Sequence, residues 1–255
     1  MNRALQIAMA ESGQTAESLT AQIGVDPKTA ARWVTRGRIP QTRHRNRVAE
    51  AVGRDVGDLW PDVLRRREPT WLREWIELER EARLLRWFEP ALIPGLLQTE
   101  AYARAVLGWG GLMSADEVDE RTESRMARQA ILGGRRPPQF FAMIDEAALR
   151  RNVGGNAVMA EQSRKLVQLA ENPHVHIQAV PLTAGAHAGL AGGFILAKGP
   201  TGGVAHLDDP LQARVVSKPE DIDTLEAKWE AIRAVALPTP LTLDLITEVA
   251  TAWQT

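Results

Sequence analysis

The first sixty residues carry apolar positions in short helical stripes separated by glycines. In NRALQIAMAESG, Leu5, Ile7, Ala8 and Met9 fall at helix-compatible spacing and Gly13 stops the run. Thr15 opens TAESLTAQIG as an N-cap, with Ser18 where a capping box usually has Glu, and Leu19 and Ile23 share one face. Gly24 ends that helix, because the turn that follows needs a residue free to take positive φ. In DPKTAARWVTRGRIP, Asp26 suits the N-cap and Pro27 the first helical position. Ala30, Trp33 and Val34 form the inward stripe, which leaves Lys28, Thr29, Arg32 and Arg36 outward; Gly37 and Pro40 stop the helix. TRHRNRVAEAVG places Val48, Ala51 and Val52 inward and Arg43, His44, Arg45 and Arg47 largely outward, and DVGDLWP adds Leu59 and Trp60 as a lid. Five short helices with a glycine turn between the second and third describe a helix-turn-helix.

A charged junction, VLRRREPT, leads into a longer and more mixed pattern. WLREWIELEREARLL puts Trp71, Trp75, Leu78, Ala82 and Leu85 on one helical stripe, which reads as core or, alternatively, as a dimer seam. Pro90, Pro94 and Gly95 interrupt the next apolar run, and Thr99 caps a helix to about residue 108. SADEVDERTESRMARQAIL is one long amphipathic helix capped by Ser114. PQFFAMIDEAALRRNVGG reads as a strand and a short helix, MAEQSRKLVQLAEN as a helix, and HVHIQAVP as a strand. GFILAKG, GVAHLDD and LQARVVS read as an antiparallel meander, followed by two helices with proline starts. The expected fold is mainly α with a small α+β part: a five-helix bundle over residues 1–65, then an α+β domain over residues 70–255 whose small sheet is mostly antiparallel.

Charge sharpens the first half. Lys28, Arg32, Arg36, Arg38, Arg43, Arg45, Arg47 and Arg54 stand within one short stretch against Glu50 alone, while the chain as a whole has a net charge of −1. A local cationic segment on an acidic remainder points to a polyanion site, with a solvated helix face as the bland alternative. The third helix offers a small or cationic outer face that fits a major groove about 12 Å wide. The chain has no cysteine, which removes disulfides, thiolate metal sites and cysteine nucleophiles. No export signal and no uninterrupted apolar span is legible, so a soluble, cytoplasmic, nucleoid-associated protein is expected.

GVDPKTAARWVTRGRIPQTRHRNRVAEAVG resembles the helix-turn-helix of xenobiotic-response-element-family (XRE) regulators, in a form common in actinobacteria. The resemblance implies that residues 25–37 are a recognition helix. Lys28, Thr29 and Arg32 would then face bases, and Thr15, Arg36, Arg38 and Arg43 would meet phosphates. Ala30 departs from the family, which usually has a larger apolar residue there. The second half carries W-x3-W-x3-E-x2-A, PGLLQTEAYARAVL, RMARQAIL, DEAALRRNVGG and VPLTAGAHAGLAGGF, and from about residue 71 onward it resembles the WhiJ-type C-terminal domain of actinobacterial regulators. That resemblance implies an antitoxin-like or developmental regulator working with a small protein partner.

Candidate chemistry in this half is sparse. His174 and His176 share a strand face, but a zinc site would need a third ligand such as His206 or Asp208, and no metal or cofactor is expected. Asp145 and Glu146 could act as acid and base, or could simply be acids at a helix start, which is the simpler reading. GGFILAKG lacks P-loop spacing, and GGRRPP reads as a basic turn. The loop 182–194, with His187, Leu190 and Phe194, could line a ligand pocket or receive a partner, or could be an exposed connector. The leading expectation is a non-enzymatic, homodimeric regulator of double-stranded DNA, controlled through residues 70–255 by a small protein. The alternatives are a small-molecule effector domain in that position, a helix-turn-helix serving protein contacts only, and, last, a fused enzyme.

Overall fold

The computed structural model describes residues 2–35, 40, 42–54, 56–60, 70–200, 202–208 and 214–254. The helices in chain order are α1 (Arg3–Glu11), α2 (Ala16–Ile23), α3 (Pro27–Thr35), α4 (Thr42–Val52), α5 (Val56–Leu59), α6 (Thr70–Glu81), α7 (Glu100–Gly108), α8 (Ala115–Arg128), α9 (Glu146–Arg150), α10 (Asn156–Leu169), α11 (Pro219–Arg233) and α12 (Thr239–Ala252). The strands are β1 (Leu84–Glu89), β2 (Gln139–Asp145), β3 (Val175–Val180), β4 (Phe194–Gly199), β5 (Gly202–Leu207) and β6 (Arg214–Val216). Two compact units form. One contains Met1–Glu68 with Ala115–Arg128, the other Pro69–Ser114 with Gln129–Thr255. The division is discontinuous, since α8 groups with the N-terminal helices.

In the first unit, local signals set the helix ends. The Asn2 carboxamide caps α1 by accepting the Leu5 N–H at 3.0 Å, and its nitrogen donates to the Leu59 carbonyl at 2.8 Å. Thr15 and Ser18 form a complete reciprocal capping box on α2. Gly24 closes α2 at φ 77°, a conformation that a side chain would strain. The Asp26 carboxylate accepts the Lys28 N–H at 2.8 Å at the start of α3. Leu5, Leu19, Ile23, Ala30, Trp33, Val48, Val52, Leu59 and Trp60 then share one apolar core.

The second unit is built on a six-stranded sheet of order β3-β2-β1-β4-β5-β6. β1, β2 and β3 run parallel, whereas β4, β5 and β6 follow β1 as antiparallel neighbours. The sheet is therefore mixed, not small and mostly antiparallel. The strands β2 and β3 and the meander β4–β6 are where the sequence pattern placed them, and β1 with its parallel pairing is what that pattern did not reveal. Its key is β1. The Trp75–Ala82–Leu85 stripe continues a helical spacing past Glu81, but there the chain leaves the helix and the Arg83 N–H donates to the Lys198 carbonyl at the end of β4. Trp75, Ala82 and Leu85 are all buried and so are core, divided between a helix and a strand. Leu78 is half-buried, and the side chain of Trp71 lies outside the described residues. Consecutive Trp87 and Phe88 are also buried, as expected of a strand covered on both faces.

One face packs Leu85, Phe140, Ile144, Ile177 and Ile195 with Trp75, Tyr102, Leu166 and Ile246, and the other packs Phe88, Met143, Phe194 and Leu196 with Leu225, Trp229 and Ile232 of α11. The proline-broken segment after β1 crosses the first core without regular backbone pairing, and side-chain amides supply its partners. Gln162 accepts the Thr99 N–H at 2.7 Å and donates to the Leu97 carbonyl at 2.8 Å. Gln98 donates to the Ile93 carbonyl, and the Tyr102 hydroxyl accepts the Ile93 N–H. Gln129 donates to the carbonyls of Gly95 and Gln98. The Trp75 indole likewise donates to buried Glu79, which accounts for the W-x3-E spacing. Among the described residues, no helix is long and apolar enough to cross a membrane.

Replacing Gln162 with Leu leaves a buried N–H and a buried carbonyl without partners. The expected loss is about 2 kcal/mol or more, a fall in Tm of about 4–8 °C by thermal melting. Exposed Gln168→Leu on the same helix should leave Tm unchanged.

Candidate nucleic-acid interface and the 182–194 loop

The α2–Gly24–α3 pair holds α3 by Ala30 and Trp33 in the core, and Trp33 also stacks on His44 of α4 with ring centroids 6.1 Å apart. That anchoring leaves Lys28 and Arg32 exposed one helical turn apart, with half-buried Thr29 between them. Thr15 is exposed at the start of α2, where its oxygen already accepts the Ser18 N–H at 3.1 Å. Arg36 and Arg38 lie outside the described residues, as does the side chain of Arg43, whose backbone belongs to α4.

The cationic stretch is not one uniform face. Arg45, expected outward, is buried, with its guanidinium 3.3 Å from the Glu123 carboxylate of α8. The reason is its position: Arg45 precedes buried Val48 and Ala49 by three and four residues and so falls on the inward stripe, where an acid from a distant helix matches its charge. Arg47 donates to the Ile23 carbonyl at the end of α2 at 3.2 Å, as suits a cation at a helix C-terminus. Arg54 pairs with Glu11, whose hydrogen bond and charge raise the arginine pKa. Three of the cations thus hold the helices together, and Lys28 and Arg32 are displayed.

In the second unit the structure separates the three loop candidates. Phe194 begins β4 inside the core, 6.0 Å from the Phe88 ring, while Leu190 is exposed. The His187 side chain is buried, and its Nε2 lies 3.0 Å from Asp145 Oδ2. The Gly189 N–H donates to His187 Nδ1 at 3.2 Å, which makes Nδ1 the unprotonated nitrogen and Nε2–H the donor to the carboxylate. Both ring nitrogens are therefore engaged, and no lone pair remains to activate a nucleophile.

Asp145 uses its other oxygen to cap α9, accepting the Ala147 N–H at 2.8 Å. Glu146 accepts the Leu182 N–H at 2.8 Å and the Arg150 guanidinium at 2.7 Å. Burial alone would raise the Glu146 pKa, but the bonds from Leu182 and Arg150 outweigh it and hold the carboxyl below its ordinary value. The adjacent acids thus start a helix and also pin the far loop at two points. Sequence reasoning found the helix start and missed the anchors, since an Asp–His contact 42 residues apart leaves no local signal. Gly189 completes the fit: a Cβ there would lie 2.2 Å from the Phe88 ring.

His174 and His176 both bond Gln139, and His176 stacks on Phe141 at 4.5 Å. His206 sits on β5, four strand spacings from β3, or about 19 Å, so it does not complete a metal site with that pair.

Residues 72–248 match the family model described as "Domain of unknown function (DUF5753)", more than half of the chain. No curated protein and no solved structure matches it.

Two outcomes test the pinned loop. Gly189→Ala forces the loop off Phe88, with an expected loss of about 1–3 kcal/mol and faster amide exchange across residues 182–191. The second is pH dependence. A carboxyl held below its ordinary value stabilises the fold above its unfolded pKa of 4.5, and that contribution disappears as pH falls through the lower folded value. Protection of the Leu182 amide should therefore fall on acidification below pH 4.5, and Glu146→Gln should remove that pH dependence.

Proposed function

The chain belongs to the DUF5753 family, and from that premise and the helix pair α2–α3 we propose that it is a sequence-specific DNA-binding transcriptional regulator of the XRE type. The observation that carries this reading is α3 itself, a helix anchored by Trp33 and the Gly24 turn that presents Lys28, Thr29 and Arg32 on its outer side. In this reading Lys28, Thr29 and Arg32 contact base edges, and Thr15, Arg36, Arg38 and Arg43 contact phosphates. The protein acts in the cytoplasm on the nucleoid as a homodimer, and reads two half-sites about one helical turn apart or a multiple of that.

The C-terminal domain is of the WhiJ type, antitoxin-like, and receives a small protein partner. Exposed Trp109, Leu112, Leu182 and Leu190 support a protein-binding role, since large apolar side chains in solvent serve as interface anchors. The closed His187–Asp145 contact supports binding over catalysis. A small-molecule effector is the second reading. What favours it is an open cavity of about 630 Å3 beside Arg135 and Arg136, whose guanidinium groups suit an anion.

The deciding experiment titrates a labelled duplex from the protein's own upstream region at several salt concentrations, with random DNA as competitor. Specific binding that weakens steeply with salt is expected. Arg32→Ala should cost about 1–3 kcal/mol on the preferred site and relax selectivity at one base position. Equal affinity of the native protein for all sequences would overturn the reading.

A further inference from the structure

Helix α8 lies within the stretch that matches the DUF5753 family, yet it groups with α1–α5 and packs against α4 and α5. Its inward face is polar for a packed helix: Thr122, Glu123 and Ser124 are buried beside Val118. The Glu123 and Arg45 side chains are 3% and 2% exposed. Such a pair contributes little net stability, because desolvation offsets the attraction, but it is exacting about geometry. Displacing Glu123 takes the carboxylate at 3.3 Å away from the buried Arg45 guanidinium, so the position of α4 depends in part on that of α8.

The connections of α8 are asymmetric. Before it runs Trp109–Gly111, with Gly110 and Gly111 at positive φ. After it, Gln129 follows Arg128 directly and is fixed within the second unit by its bonds to the Gly95 and Gln98 carbonyls. The chain thus passes from α8 into the second unit with no residue between Arg128 and the anchored Gln129.

We propose that α8 couples the C-terminal domain to DNA binding, with Glu123 as a positioning residue that acts through Arg45 on α4. Arg43, the phosphate contact proposed above, has its backbone in the first turn of α4 and is carried with that helix. The proposal deepens the DNA-binding reading and rests on it.

The test compares Glu123→Gln, Gln129→Ala and exposed Asp116→Asn in the full chain, by amide exchange and by DNA titration against salt. Glu123→Gln should speed exchange in residues 42–52 and lower affinity about tenfold. It should also make the log affinity–log salt slope shallower by about one, with base preference kept. Gln129→Ala should speed exchange in residues 42–52 as well, although it alters no residue of the first unit. Asp116→Asn should do neither, and protection of β1–β3 should hold in all three. Unchanged exchange in residues 42–52 for Glu123→Gln or Gln129→Ala overturns the coupling, as does a loss of protection spread equally over the sheet. If Glu123→Gln does not fold, Glu123→Asp keeps the charge one methylene short and takes its place. Absence of specific DNA binding by the native chain would sink the functional reading, while the exchange results would still decide the α8–α4 contact.

Discussion

Strand β1 is the constraint on which the second unit depends. It pairs in parallel with β2 along one edge and antiparallel with β4 along the other, with a register running from Leu84 to Glu89 against β2. Without it, the parallel strands β2 and β3 and the meander β4–β6 would be two separate small sheets, each with an open edge. Its side chains also belong to both cores: Leu85 and Trp87 to one, Phe88 to the other. Phe88 further sets the position of the 182–191 loop, because only a glycine fits against its ring at position 189.

A second rule governs the irregular segments. Backbone that crosses a core outside helix and sheet must find its hydrogen bonds in side chains. The segment after β1 finds them in Gln162, Gln129, Gln98 and Tyr102, and the start of the 182–191 loop finds one in Glu146. These polar groups are what make the motifs specific. PGLLQT is an apolar run whose turn is held by amides 31 and 65 residues further along the chain.

What the sequence made legible divides along the same line. The ends of α1 and α2 and the start of α3 are set by residues within three positions of each cap, so periodicity and caps sufficed to read these first helices. Lys28 and Arg32 stand outward for the same local reason. Arg45 was illegible because its partner, Glu123, comes from another helix; side-chain type alone placed it in solvent. β1 was hidden because Ala82 and Leu85 prolong the spacing of α6, and only pairing with β2 and β4 distinguishes strand from helix there. Of the loop residues, the sequence singled out His187 but assigned it no partner, and Phe194 fell both in the loop and in the apolar strand GFILAKG, the second of which is its place.

The placement of α8 bears on how such a chain can be controlled. A DNA-binding unit joined to its regulator by a plain tether feels the regulator only through steric exclusion or dimer geometry. Here a helix from the stretch that matches the DUF5753 family groups with α1–α5, and one contact it makes is a buried ion pair. Hydrophobic contacts tolerate small slips, since dispersion and burial change gradually with position. A buried charge pair does not, because its attraction and its desolvation are both large and nearly cancel. A small shift of α8 therefore changes the balance at α4 more steeply than it would at an apolar seam. In that arrangement a stability-neutral contact is well suited to transmit a signal: it adds little to the fold in one position and opposes it in another.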